Sequence, residues 1–237
     1  LGSFFVKKNT ELNLGNSGTL ARLLIGILST TPNIDLKVSG DKSLNKRSMK
    51  KLINLMARFG ATFLPKRKYT FPLRIISSKI PIGINYKAGV SAQLKSAVIL
   101  AGLNSYGSTI ITENIISRDH TENLLKKNVK AIKIVKKNKK TIHIFGKKNL
   151  RSMNINVSGD PSSAAFFTAL TLLNPNSSIK IKNVGLNPSR IGFYKILKKQ
   201  NANLKFINIK KENNEISGDI LVKSCKLKPI KTSAKMY

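Results

Sequence analysis

The chain has 237 residues, 41% of them hydrophobic, with 43 basic residues against ten acidic ones. That apolar content supports one large core or two smaller ones and excludes a disordered chain despite the formal charge of +33. No apolar run approaches the roughly 18 residues of a membrane span, the longer ones being short pieces such as LLIGIL (Leu23 to Leu28), so no membrane partner is expected.

The charge invites a nucleic-acid reading through phosphate contacts. Only eight of the basic residues are Arg, however, and the chain has no Trp. RNA readers lean on Arg planes and aromatic stacking. The Lys are spread along the whole chain among many Asn and Ile, as an A- and T-rich codon bias would leave them. A solvated Lys surface is therefore expected, without nucleic acid as a partner. Attraction of small acidic substrates is a further option. Cys225 is the single cysteine, so no intrachain disulfide is expected, and a cytoplasmic setting fits. The chain starts at Leu1 with no signal-peptide pattern, and both ends read as cut. It is expected to be an internal piece of a longer protein.

In chain order, the first helix is expected in NSGTLARLLIGIL and the first clear strand in IDLKVSG. SGDKSLNKRSMKKLINLMARFGATF follows as an amphipathic helix led by Arg47, running into a strand. PLRIISS and GINYKAG read as two further strands closing this first block. SAQLKSAVILAGL (Ser91 to Leu103) is a helix whose Leu94, Ala97, Val98, Ala101 and Leu103 share one face, which predicts an amphipathic element with a polar start. STIITENI is a strand, and IISRDHTENLLKKNVKAIKI repeats the pattern of an Arg, a helix and a strand. PSSAAFFTALTLL (helix), SSIKIKNV (strand) and GLNPSRIGFYKILKKQNANLKF repeat it a third time. ILVKSCKL adds a last strand-like stretch.

The anchors of these blocks keep step. Arg47, Arg118 and Arg190 lie 71 and 72 residues apart, and Ala61, Ala131 and Ala202 lie 70 and 71 apart. The unit is βαβαββ, about 70 residues long. Alternating strands and helices predict an α/β protein with helices packed on sheets. Each unit also opens a helix on Gly, Ser or Thr, where unpaired N–H groups and the positive dipole end favour an anion.

Six motifs then occur in series: LGNSGTLARLL, GDKSLNKRSM, SAQLKSAVILAGL, SRDHTENLL, SGDPSSAAFF and NPSRIGF. Together they resemble the 5-enolpyruvylshikimate-3-phosphate synthase family, in its class II bacterial form, over essentially the whole chain. The resemblance implies a two-lobed, inside-out α/β barrel of βαβαββ units with helices inside and sheets outside. Residues 1–155 would form most of the first lobe and 156–237 the start of the second. The implied reaction moves the enolpyruvyl group of phosphoenolpyruvate to the 5-hydroxyl of shikimate 3-phosphate through a tetrahedral intermediate, releasing phosphate. No cofactor and no metal are implied, and a monomer is expected.

Both implied substrates are polyanions, so cations and N–H donors matter more than a nucleophile. The resemblance assigns phosphoenolpyruvate to Gly18, Arg47 and Gln93. It assigns shikimate 3-phosphate to Ser91, Ala92, Gln93 and Arg118. A bidentate grip by Arg47 could not be reproduced by Lys. Arg22 is expected to orient the loop, Lys95 to be solvated, Asp119 to cap a helix and His120 to be structural. Asp41 is expected to brace Arg47, and Asp160, Ser162 and Ser163 to serve a helix start.

The sequence departs from the family at Ser48, where Pro is usual, and lacks the usual Gly before Ala131 and Ala202. Each missing Gly would cost roughly a few tenths to 1 kcal/mol. Gly18 stands where some glyphosate-tolerant members carry Ala, so glyphosate sensitivity is expected of a completed enzyme. The family's catalytic Asp and Glu would follow Tyr237, which leaves no catalytic residue within the chain. The chain alone is thus expected to release no phosphate from the two substrates, an assay that decides the point.

Two alternatives remain. UDP-N-acetylglucosamine enolpyruvyl transferases typically carry a Cys where Lys42 stands. A basic RNA-binding or RNA 3′-phosphate cyclase-like protein would need a nucleophilic His in a nucleotide site, and His120 and His143 lie in other contexts.

Overall fold

A computed structural model describes residues 10–126 and 128–229. The chain divides into two units. The first holds the described residues up to Ser117 together with Leu125–Arg151, and the second holds Arg118–Leu124 and the described residues from Ser152 onward. The expected lobe boundary at 155/156 falls four residues past Arg151.

In the first unit, β1 (Glu11–Asn13) leads into α1 (Gly18–Thr30) and β2 (Asp35–Ser39). The short α2 (Lys42–Lys46) and α3 (Lys50–Arg58) follow, then β3 (Thr62–Leu64) and β4 (Leu73–Ile76). The sheet order is β1-β2-β4-β3. β1 and β2 are parallel, whereas β4 is antiparallel to both β2 and β3. The next set repeats this arrangement. It comprises β5 (Asn85–Ala88), α4 (Ala92–Leu103), β6 (Ser108–Glu113), α5 (His120–Leu125), β7 (Ile132–Lys136) and β8 (Lys140–Phe145), with sheet order β5-β6-β8-β7, although α5 up to Leu124 belongs to the second unit. The second unit contains α6 (Pro161–Leu173), β9 (Ser178–Gly185), α7 (Gly192–Lys199), β10 (Leu204–Glu212) and β11 (Glu215–Lys223). Its sheet order, β9-β11-β10, is the same pattern with the first strand reduced to one parallel bridge between Gly159 and Val184.

The three blocks thus share one topology, as the Arg and Ala spacing implies. GINYKAG does not close the first block. Its residues Asn85–Ala88 pair in parallel with β6 and open the second. Cys225 lies two residues beyond the end of β11.

The most interior helix of the first unit is α4. α4 packs on α1, α3 and the strands β5, β6 and β8, and every residue from Leu94 to Leu103 except Leu100 is buried. The amphipathic face expected of α4 is therefore wrong. A helix surrounded on all sides needs no polar face, and Val98, Ile99 and Ala101 fill the core with Ile111, Ile142 and Ile144. α3 instead buries one stripe, Leu52, Ile53, Leu55 and Met56, and exposes its Lys. The second unit has its own core of Leu172, Val184, Tyr194, Leu197, Ile220 and Val222, among others.

The missing family glycines are handled locally. Gly60 ends α3 at φ +96°, and its third-block counterpart Asn201 adopts φ +60°. Asn tolerates the left-handed region better than other side-chain-bearing residues, so much of the expected cost is avoided there.

Candidate anion site at the α1 and α4 starts

The α1 helix starts on a neutral cap. Ser17 accepts the Leu20 N–H at 3.1 Å, and Asn13 accepts the Gly15 N–H at 2.9 Å to fold the preceding turn. α4 starts in the same way, with the Ser91 hydroxyl accepting from Leu94 N at 3.4 Å. The two helices run parallel. Gln93 Nε2 donates to Thr19 Oγ1 at 2.7 Å near their starts, Gly26 lies against Ala97 midway, and Asn104 reaches the Thr30 carbonyl at their ends. Two helix N-termini, each with unpaired N–H groups, therefore open side by side.

Two guanidinium groups converge on the α1 start. A Cβ placed on Gly18 would lie 3.0 Å from Nη1 of Arg22 and 3.0 Å from Nη1 of Arg47. Arg47 extends from the end of α2 and donates to Asn16 Oδ1 at 2.9 Å and to Ser43 Oγ at 3.4 Å. Arg22 donates to the Gly18 carbonyl at 2.9 Å, which fits the loop-orienting role expected of it, yet it also faces the same space. Burial lowers the Arg22 pKa, and the nearby Arg47 charge lowers it further. Neither Arg is ion-paired with a carboxylate among the described residues. Like charges held together without an acid favour a bound anion. An open pocket of about 450 Å³ lies alongside, lined by Arg22, Ser48, Lys50, Ser91 and Gln93 among others.

Asp41 does not brace Arg47. Its carboxylate caps α2 by accepting Leu44 N–H at 2.7 Å, which satisfies a helix-start donor instead. The structure thus gathers Gly18, Arg47 and Gln93 around the α1 start, and Ser91 and Ala92 stand at the adjoining α4 start. Arg118 is exposed and belongs to the second unit.

Lys95 is not solvated. Its side chain is 0% exposed and its Nζ lies 2.9 Å from Glu113 Oε1. Glu113, also 0% exposed, sits 2.8 Å from Lys140 Nζ and accepts from Ser117 N at 3.1 Å and Ser117 Oγ at 2.8 Å. Burial pushes the Glu113 carboxyl up, but hydrogen bonds from Lys140, Lys95 and Ser117 outweigh it and hold the pKa at about 2. Sequence spacing offered only one weak signal for this cluster: an acidic residue is rare in so basic a chain.

In the second unit, Asp119 accepts from the amides of Asn123 at 3.2 Å and Asn187 at 3.0 Å. His120 Nδ1 lies 3.1 Å from Glu215 Oε1. Asp160 caps α6 through Ser163 N, and Arg190 ion-pairs with Asp160 while donating to Ser162 Oγ at 2.9 Å. Arg190 is the third-block counterpart of Arg47, but its guanidinium is already occupied by a carboxylate. Among the described residues, no group of three or more His, Cys, Asp or Glu is placed to hold a metal, and no helix is long and apolar enough to cross a membrane.

Helices packed on sheets of order 1-2-4-3, repeated along the chain, define an enolpyruvyl transferase fold. The enolpyruvyl transferase NikO from Streptomyces tendae shares that fold, with a TM-score of 0.59 at 13% identity over 87% of this chain and 46% of that one. The EPSP synthase (3-phosphoshikimate 1-carboxyvinyltransferase) family profile matches residues 1–235, and the chain belongs to that family. The 3-phosphoshikimate 1-carboxyvinyltransferase of Petrotoga mobilis is 41% identical over 235 residues, covering 98% of this chain and 54% of that protein. The Bacillus anthracis protein of the same name is 39% identical over 221 residues, covering 92% and 50%. The EPSP synthase structure from Acinetobacter baumannii superposes with a TM-score of 0.79 at 36% identity, covering 96% and 51%. The chain spans about half the length of the curated relatives it matches.

Proposed function

We propose that the chain forms the anion-binding part of an enzyme that transfers the enolpyruvyl group of phosphoenolpyruvate to the 5-hydroxyl of shikimate 3-phosphate, releasing phosphate. The proposed reaction lies on the route to chorismate and the aromatic amino acids, and the proposal includes a cytoplasmic setting and a monomeric state. The observation that carries the reading is the pair of guanidinium groups, Arg22 and Arg47, that face Gly18 without a carboxylate partner among the described residues.

In this reading the phosphate or carboxylate of phosphoenolpyruvate lies against Gly18, where the absence of a Cβ leaves room for the backbone approach. Arg47 binds it bidentately, and Arg22 adds charge from the next turn of α1. Gln93, at the adjoining α4 start, contacts both substrates. Ser91 and Ala92 hold shikimate 3-phosphate through the hydroxyl and the helix-start N–H groups, and Arg118 takes its phosphate. These residues orient the 5-hydroxyl toward the enolpyruvyl carbon and stabilise the anionic intermediate. They carry no proton-transfer step.

Calorimetric titration of the chain with shikimate 3-phosphate tests the reading. Saturable binding is expected, weakened about tenfold or more (roughly 1.4 kcal/mol) by Gln93→Ala or Arg118→Ala. No saturable binding, or salt-dependent binding of RNA in its place, would overturn it.

A further inference from the structure

Glu113 ends β6, faces Lys140 across the β6–β8 ladder, and meets Lys95 of α4. It also accepts both the backbone N–H and the hydroxyl of Ser117. One buried carboxylate thus ties a sheet end, an interior helix and a loop together. Its two non-sheet partners sit next to the residues proposed to hold shikimate 3-phosphate. Lys95 is two residues after Gln93, and Ser117 immediately precedes Arg118.

We infer that Glu113 is a positioning residue for shikimate 3-phosphate, holding the Ser91–Gln93 helix start and the point from which Arg118 leaves the first unit in one geometry. The inference rests on the substrate reading above. A buried ion cluster is a poor stabilising device, because well-packed apolar side chains of similar volume serve a core equally well or better. What apolar side chains cannot supply is a fixed direction. A carboxylate that accepts from an N–H, a hydroxyl and an ammonium group fixes three elements at hydrogen-bond distances. Apolar packing would leave Ser117 without an acceptor and let the loop that bears Arg118 settle elsewhere.

The test uses the full 237-residue chain with Glu113→Gln and, because that variant strands two buried ammonium groups and could fail to fold, the triple variant Lys95→Met/Glu113→Leu/Lys140→Met. Two readouts are taken: affinity for shikimate 3-phosphate, and amide hydrogen exchange at Ser117, Leu94 and Lys95 beside core amides such as Val98. In a folded variant the expected result is an affinity loss of about tenfold or more, with exchange at Ser117, Leu94 and Lys95 faster by about tenfold and core exchange unchanged. A purely structural role would alter exchange throughout the unit or nowhere. Wild-type affinity in the folded triple variant, or unchanged exchange at those three amides, overturns the inference. If the unaltered chain binds no shikimate 3-phosphate, the substrate reading fails, while the exchange measurement still decides whether Glu113 holds these segments.

Discussion

Gly26→Ala is the sharpest test of how the site is built. Gly26 lies in the middle of α1, and a Cβ there would fall 2.6 Å from the Ala97 carbonyl oxygen and 2.9 Å from Ala97 Cα. Both are backbone atoms of α4, so no rotamer relieves the clash. Ordinary contact begins near 3.4 Å, so the helices must part by about 0.8 Å. A gap of that size forfeits a quarter to a half of the dispersion energy of each contact across the interface. Overpacking of this kind costs about 1–3 kcal/mol and occasionally more. Ala is the better helix former by about 1 kcal/mol, which offsets part of the loss. The net expectation is a destabilisation of about 1–2 kcal/mol, the upper part of the range surviving because α4 is walled in by β6 and β8. The same displacement would stretch the 2.7 Å bond from Gln93 to Thr19, so ligand affinity should fall as well. Urea unfolding followed by circular dichroism measures the first effect and calorimetry the second. Gly192→Ala is the control, since nothing lies within 4 Å of its Cβ and it should be neutral or slightly stabilising. A Gly26→Ala chain as stable as wild type, with an unchanged m value, would refute the account of the α1–α4 contact.

Gly18→Ala is crowded only by the movable ends of Arg22 and Arg47, with Leu44 at an ordinary 3.9 Å, so stability measured by urea unfolding should change by less than about 0.5 kcal/mol. Ser17→Asp should keep the α1 cap but place a carboxylate beside Arg47. Calorimetry should then show anion affinity reduced about tenfold or more. Glu113 titrates at about 2 in the folded chain against an ordinary value of 4.5, so its contribution to stability is full above pH 4.5 and lost as pH falls toward 2. Acid titrations should be flatter over that window in Glu113→Gln, and an identical profile would contradict the buried ion cluster. Tyr194 is 1% exposed and donates to the Pro161 carbonyl at 2.7 Å, so Tyr194→Phe should cost the second unit about 1 kcal/mol, measured by thermal unfolding.

The repeat was legible because its Arg and Ala anchors are set by one topology used three times. What escaped were properties that depend on distant partners. The burial of Lys95 follows from Glu113 and Lys140, 18 residues and 45 residues along the chain, which helical periodicity cannot register. The same periodicity assigned α4 a polar face that the surrounding sheet removes. Asp41 was legible as an acid near Arg47, but its carboxylate serves the local bond to Leu44 N instead.

The three block-leading Arg residues sharpen this point. In sequence they are equivalent, and nothing in their spacing separates a ligand-binding Arg from a structural one. The separation comes from the cap of the preceding helix. In the first two blocks that cap is a neutral Ser, Ser17 or Ser91; in the third it is Asp160. A cap must supply one acceptor to a helix-start N–H, and Ser and Asp do this equally well. Only Asp adds a full negative charge, and Arg190 takes it up. A guanidinium already paired with a carboxylate gains little from a second anion, whereas one held beside another Arg gains much. The choice of cap, an adequate acceptor for the helix either way, thus separates the Arg190 copy, already paired with a carboxylate, from the Arg47 copy, which lies beside Arg22 instead.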